Sequence, residues 1–334
     1  METLTKTDKL KIGFLGVGWI GKNRMEALSK VDNVLIAAIA DTNPQLVAEA
    51  SHIAPKASVG QNLEDLLQQE LDAVVIATPS ALHAEQSIAA LEKGLAVFCQ
   101  KPLGRDYAET KAVVDTAQHH NKLLGVDFSY RHTCFRKIYD LIHSGELGEI
   151  YAVDLVFHNA YGPDKSWFYN PKLSGGGCVV DLGVHLVDLA LWSLNFPEVS
   201  SVNSRLYAQG NLIHHLQDQV EDYASVDMLT AHGTTIQMSC SWNLPAGCDA
   251  VIHATFYGTK GGASFQNING SFYDFKAERY NGTTTTLLAG PPDQWGGKAI
   301  ADWAQQLYVS DHFRNESQEL VAVAALLDRI YKRI

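Results

Sequence analysis

The sequence predicts an α/β chain in two parts, a doubly wound parallel sheet followed by an α+β domain with a large, mostly antiparallel open sheet. Residues 11–41 read as strand, glycine turn, helix and strand, and apolar runs then alternate with helical periods to about residue 127. Over residues 199–275 the pattern changes to period two. The boundary is therefore expected between residues 1–126 and 127–334, with no flexible linker.

In the opening stretch Ile12, Phe14, Leu15 and Val17 run into Gly16-Val17-Gly18-Trp19-Ile20-Gly21, and Met25, Leu28 and Val31 follow at helical spacing. Gly16 allows the tight turn, Gly18 lets backbone approach a pyrophosphate, and Gly21 lets helix pack closely on strand. Trp19 and Ile20 stand at a helix N-terminus, whose free N–H groups suit phosphate. This is the dinucleotide-binding pattern of a Rossmann domain. A second strand, 34–40, ends in Asp41, 20 residues after Gly21, where a carboxylate can accept from the adenosine ribose hydroxyls. The plainer alternative makes Asp41 the N-cap of a helix beginning near Pro44. The 2′-phosphate of NADP would sit against that carboxylate, and Thr42, Asn43, Pro44 and Gln45 bring no cation to neutralise it. NAD is the expected cofactor.

At 334 residues the chain can hold two domains and a sizeable core. Its 26 basic and 37 acidic residues leave a formal charge of −11, and no basic run is longer than the Lys332-Arg333 pair. Nucleic acid and membrane are excluded as expected partners. Five cysteines, without CxxC or zinc-ligand spacing, fit a reducing compartment, and no metal is expected. The polar N-terminus lacks a signal-peptide core, and no run approaches the roughly 18 apolar residues of a span. The cytoplasm is the expected location.

Beyond Asp41 a helix is predicted over 45–52, a short strand over 57–59, a helix from Leu63 and a strand over 73–77. Ligands of doubly wound folds bind just past the carboxyl ends of strands, so Thr78 and Pro79 should line the cofactor cleft. A helix over 81–93 and a strand over 95–99 lead to Gln100-Lys101-Pro102. A lysine there sits where the nicotinamide half of the dinucleotide belongs. A helix over 107–119 and a strand over 123–128 complete the sheet, and His119-His120 reads as an exposed helix end.

The stretches GVGWIG, ATPSALH, which ends in His83, and GLAVFCQKPL together resemble the Gfo/Idh/MocA family of glucose–fructose oxidoreductase, inositol dehydrogenase and rhizopine-catabolism proteins. The resemblance covers essentially the whole chain. It implies that Lys101 contacts both the nicotinamide ribose and the reacting hydroxyl, since the family's strand typically ends Glu-Lys-Pro. Gln100 departs from that pattern; it keeps hydrogen-bonding capacity and loses the charge that would support Lys101. The family's second domain begins with a tyrosine-arginine element facing the active site, which makes Tyr130 and Arg131 candidate substrate residues.

A helix over 134–143 and a strand over 150–158 precede GGGCVVDLGVHLVDLALWSLNF, residues 175–196. Without Lys, Arg or Glu between Cys178 and Phe196, a helix here is buried nearly all round. Asp181, His185, Asp188 and Trp192 fall at i, i+4, i+7 and i+11, along one stripe. Buried ionisable groups are costly unless paired or used. The stripe reads as a satisfied core network, as a metal site short of ligands, or as a general acid–base centre in which His185 takes a hydroxyl proton and Asp181 orients it. The family's second hallmark resembles this stretch at Gly175 to Gly177, Asp181, His185 and Asp188. It implies Asp181 and His185 as catalytic partners of Lys101; Asp188 reads as a structural group or as one that supports those two from behind.

Residues 258–262 predict a hairpin turn, residues 281–297 a polar loop over the substrate site, and residues 299–309 and 318–333 closing helices that pack back on the first domain. In the family one face of the sheet often forms the subunit interface, which implies a homodimer or homotetramer. The resulting reading is an NAD-dependent oxidoreductase that moves a hydride between a sugar, polyol or sugar-derivative carbon and the nicotinamide. The alternatives are an NAD-dependent glycosidase using transient oxidation and a non-catalytic dinucleotide-binding regulator. A regulator would have no need of Lys101, Asp181 and His185 together.

Overall fold

The computed structural model describes residues 9–214, 216 and 219–333. They divide into two compact units: the first runs to Gly104 and adds Ala108–Ser129 and Gly296–Val321, and the second takes Arg105–Tyr107, Tyr130–Trp295 and the chain from Ala322 onward. A single cut near residue 127 does not contain the two later exchanges of chain.

In the first unit β1 (Leu10–Leu15), β2 (Val34–Ala40), β3 (Ser58–Gly60), β4 (Ala73–Ile76), β5 (Ala96–Cys99) and β6 (Leu124–Val126) form a parallel sheet in the order β3-β2-β1-β4-β5-β6. β4 and β5 are apolar and buried at every position, as strands covered on both faces must be. The covering helices are α1 (Trp19–Leu28), α2 (Pro44–Ser51), α3 (Leu63–Leu67), α4 (Ser80–Glu92) and α5 (Tyr107–His119). Phe14, Met25, Leu28 and Phe98 belong to one core; Leu15, Val74, Val97 and Val113 belong to a second. The strand order reverses between β1 and β4, so the loops after these strands frame the crevice where such folds bind ligands.

The second unit begins with α6 (Phe135–His143), β7 (Ile150–Asn159) and the short α7 (Pro171–Ser174). A π turn over Val179–Gly183 then leads into α8 (Val184–Ser193). The remaining strands are β8 (Val199–Ala208), β9 (Asn211–Ile213), β10 (Tyr223–Thr230), β11 (Thr235–Ser241), β12 (Ala250–Gly258), β13 (Gly261–Asn267), β14 (Phe275–Asn281) and β15 (Thr284–Ala289). They join β7 in a sheet ordered β15-β14-β13-β12-β7-β11-β10-β8-β9, antiparallel except where β7 meets β11. Ala224, Val226 and Met228 of β10 and Ile236, Met238 and Cys240 of β11 turn inward, and polar residues alternate outward. One helical stretch among the described residues, Pro171–Ser193, is long and apolar enough to cross a membrane, but 89% of its apolar window is buried inside the protein.

Gly258 pairs with Gly261 across the expected hairpin turn. The loop expected over 281–297 is interrupted by a strand: Thr284–Ala289 joins the sheet, Asn281 pairs with Thr284 across Gly282-Thr283, and residues 290–297 remain loop. Gly282 has φ +56°, which a two-residue hairpin loop needs, and β-branched threonines suit the pleated surface that follows.

The chain closes with α9 (Lys298–Val309) and α10 (Gln318–Ile330). Ala299, Ile300, Trp303, Ala304 and Leu307 of α9 join the Phe14–Phe98 core of the first unit, with the Trp303 and Phe98 rings 5.4 Å apart.

Candidate active site

The cofactor end lies in the first unit. Gly16 has φ +83°, and a Cβ at Gly21 would fall 2.2 Å from the Gly16 carbonyl oxygen, so turn and helix can meet only as glycines. A Cβ at Gly18 would meet nothing within 4 Å. Gly18 caps α1 without a side-chain hydrogen bond, no acidic residue occupies the first turn, and Trp19 is 70% exposed. An open, uncapped helix N-terminus fits a pyrophosphate. Asp41 does not cap α2; Asn43 does, accepting from the Gln45 N–H at 3.0 Å. The Asp41 carboxylate accepts from the N–H groups of Val17 and Asn43, each at 2.9 Å. One lone pair on each oxygen remains for a ribose hydroxyl. Lys22 on α1 is tied to Glu49, whose carboxyl it holds below its ordinary range.

Past β4 the Thr78 hydroxyl donates to Gln86 at 2.6 Å and Pro79 is exposed. His83, which the resemblance to the family's ATPSALH stretch also suggests for the cofactor side, is buried, and its ring nitrogens lie 2.7 Å from the carbonyl oxygens of Pro102 and Thr78, so it braces two loops. Burial pushes its pKa below the ordinary histidine value, against the pull of both carbonyls. At the end of β5, Gln100 is buried, with its amide donating to Asp127 at 2.6 Å, and Lys101 follows half-buried.

The second unit carries the other candidates. Residues 174–191 are buried throughout, with two exceptions: Asp181 and His185 keep part of their surface in solvent. The helix starts on outside support. A Cβ at Gly177 would fall 1.9 Å from the Glu221 carbonyl oxygen, and the Glu221 carboxylate accepts from the Gly177 N–H at 3.0 Å, the Val179 N–H at 2.9 Å and the Tyr331 hydroxyl at 2.7 Å. Burial raises the Glu221 pKa, and the Tyr331 and backbone donors oppose it. The Tyr331 oxygen in turn accepts from the Val180 N–H at 3.2 Å.

The four residues of the stripe separate in what they do. A regular helix was expected, but Asp181 lies in a π turn, a feature frequent at functional sites. Its Oδ2 accepts from Trp242 Nε1 at 3.1 Å. His185 meets the Tyr130 ring edge-on, with centroids 4.8 Å apart. Tyr130 is buried and stacked on Trp295; burial first, and the Asp181 charge second, raise its pKa and keep the phenol protonated. Asp188 is sealed: Arg131 Nε donates to Oδ2 at 2.9 Å and Nη2 to Oδ1 at 2.6 Å, with the guanidinium 4.9 Å from the Trp192 ring centroid. Burial raises the Asp188 pKa and Arg131 works against it. Arg131 thus holds Asp188 through Nε and Nη2. Trp192 stacks on Tyr139 at 3.9 Å.

Glu221, Trp242, Tyr331, Arg24 and Asp127 escape sequence reading. Only Arg24 left a signal, as a cation in register with Gly21 and Leu28 on the helix face toward the sheet.

Residues 10–128 match the family model described as the oxidoreductase family, NAD-binding Rossmann fold, and residues 135–264 match the GFO/IDH/MocA C-terminal domain. The chain belongs to the Gfo/Idh/MocA oxidoreductase family. It is a nicotinamide-dependent dehydrogenase of that family, acting on CH–OH groups. It is 26% identical over 337 residues to D-glucoside 3-dehydrogenase of Escherichia coli, covering 95% of this chain and 90% of that protein. Over 213 residues it is 30% identical to levoglucosan dehydrogenase of Pseudarthrobacter phenanthrenivorans, covering 59% of this chain and 54% of that protein. The structure of a levoglucosan dehydrogenase in complex with NADH and levoglucosan has the same fold, with a TM-score of 0.83 at 23% identity, covering 97% of each chain.

Proposed function

We propose that this chain oxidises a secondary hydroxyl of a sugar, polyol or sugar derivative with NAD. The observation that carries this reading is the selective opening of the buried 174–191 segment at Asp181 and His185. A satisfied core network would have no cause to keep those two groups wet. The relatives named for glucoside and levoglucosan oxidation support the sugar class.

NAD would be held by the α1 amides at Gly18, Trp19 and Ile20 and by Asp41, and it supplies the hydride acceptor. His185 takes the hydroxyl proton, because imidazole alone in this stripe titrates naturally near neutral pH. Lys101, as an ammonium, hydrogen-bonds the reacting oxygen and stabilises its developing negative charge. Asp181, steadied by Trp242, orients the sugar or His185. Half-exposed Tyr207 and Tyr223 and exposed Tyr151 and Tyr257 on the outer sheet face support homo-oligomerisation there, and five free thiols support a reducing cytoplasm.

The deciding experiment is a panel of sugars, glycosides and polyols followed through NADH absorbance. Stoichiometric NADH from at least one is expected. Cleavage of an aryl glycoside without net NADH would replace this reading with the glycosidase, and NAD binding without either turnover would replace it with the regulator. In calorimetry NAD should bind more tightly than NADP, and Asp41→Ser with Thr42→Arg should reverse the order.

A further inference from the structure

Gln100 stands where the family's strand typically carries a glutamate, and the first unit holds a carboxylate directly against it. Asp127, just beyond β6, is 1% exposed. Its Oδ2 accepts from Gln100 Nε2 at 2.6 Å and from Arg24 Nε at 2.5 Å. The Ser129 hydroxyl donates to its Oδ1 and accepts from Arg24 Nη2 at 3.0 Å. One carboxylate, one guanidinium, one hydroxyl and one amide thus close a charge-balanced cluster in the interior. A glutamate at position 100 would bring a second carboxylate within hydrogen-bonding distance of the first, and one of the two would have to take a proton. The amide avoids that conflict. It is also oriented by it, since with Nε2 committed to Asp127 the Oε1 end is the one left to accept.

We propose that Gln100 and Asp127 are a matched amide–carboxylate pair, making Asp127 a positioning residue for the strand end that carries Lys101. The part concerning Lys101 rests on the dehydrogenase reading above; the pairing itself does not. Arg24 widens the consequence, because it lies on α1 three residues after Gly21. The same carboxylate therefore ties the helix that opens the cofactor cradle to the strand end beside Lys101, and a charge change at position 100 should be felt at both.

The test compares wild type, Gln100→Glu, and the exchange Gln100→Glu with Asp127→Asn, which keeps one acid and one amide in the cluster. NAD affinity by calorimetry and melting temperature without NAD are measured from about pH 5 to about pH 9. Gln100→Glu should bind NAD at least ~10-fold more weakly and melt lower at the alkaline end, recovering on acidification as the two carboxyls share a proton. The exchange should return both properties to within ~3-fold in affinity and remove the new pH dependence. With a substrate in hand, kcat should follow the same loss and recovery. A single variant that matches wild type across the pH range overturns the pairing, as does an exchange that performs worse than the single variant. Should Gln100→Glu not accumulate as folded protein, recovery of folded protein by the exchange supports the pairing, and failure of both overturns it. Rescue of binding and melting without turnover of any sugar would leave the pairing standing and remove the dehydrogenase reading.

Discussion

Asp181 and Asp188 sit seven residues apart in one helical stretch and meet opposite environments. Asp188 is closed off, both oxygens spent on the Arg131 fork, with Trp192 beneath the guanidinium. Asp181 accepts from Trp242 Nε1 and keeps an edge in solvent, as does His185 one turn on. A sealed pair recovers its desolvation cost only inside the pair, whereas a half-open group can still exchange a partner or a proton. The end of this helix should therefore matter for folding, and its beginning for turnover.

Arg131→Ala breaks the sealed end. It strands the Asp188 carboxylate and should cost about 3–5 kcal/mol in denaturant unfolding. His185→Ala breaks the open end. It should lower kcat by at least ~10²-fold, or about 2.7 kcal/mol of barrier, and remove the neutral-range limb of the pH–rate profile while NAD affinity stays near wild type. Equal damage to stability and turnover by both substitutions would erase the contrast between the two ends. Trp242→Phe sharpens it by removing the donor to Asp181 while keeping an aromatic ring; the loss of about 1 kcal/mol should appear as roughly a 5-fold fall in kcat, with little change in melting temperature.

The smallest effect concerns His83, a sealed group of the first unit. Its folded pKa is lowered by burial, so as pH falls the unfolded chain takes the proton first. Stability is intact above the unfolded value of about 6.5 and is lost as pH falls through the folded value. His83→Gln removes that linkage, and its melting temperature should drop less than wild type between about pH 7.5 and about pH 5.5. A parallel pair of melting curves would show that His83 takes up its proton as readily in the folded protein as in the unfolded chain.

The parallel sheet was legible because buried strands such as 73–77 and 95–99 are continuous apolar runs, and because GxGxxG fixes strand, turn and helix together. Asp181 and His185 were legible because ionisable groups inside an apolar helix stand out. Their partners were not. Trp242 and Glu221 flank the open end of the β10–β11 hairpin, far in sequence from the helix they serve, and nothing local marks an indole that will meet a carboxylate 61 residues away. The Arg131–Asp188 ion pair was not legible either, since nothing local joins two residues 57 positions apart. β15 was lost to composition: four threonines beside glycine and proline look like loop, until the Gly282 turn supplies a partner strand.

Helix α9 has a consequence for biosynthesis. Trp303 fills a place in the dinucleotide-binding half against Phe98 and Gly125, where a Cβ on Gly125 would come within 2.5 Å of the indole. Most of that half leaves the ribosome early, but the part of one sheet face around Phe98 and Gly125 stays uncovered until nearly the whole chain has been made. A nascent chain released near residue 130 would carry the glycine turn and Asp41 together with a bare apolar surface, and should be drawn to chaperones and proteases instead of to NAD.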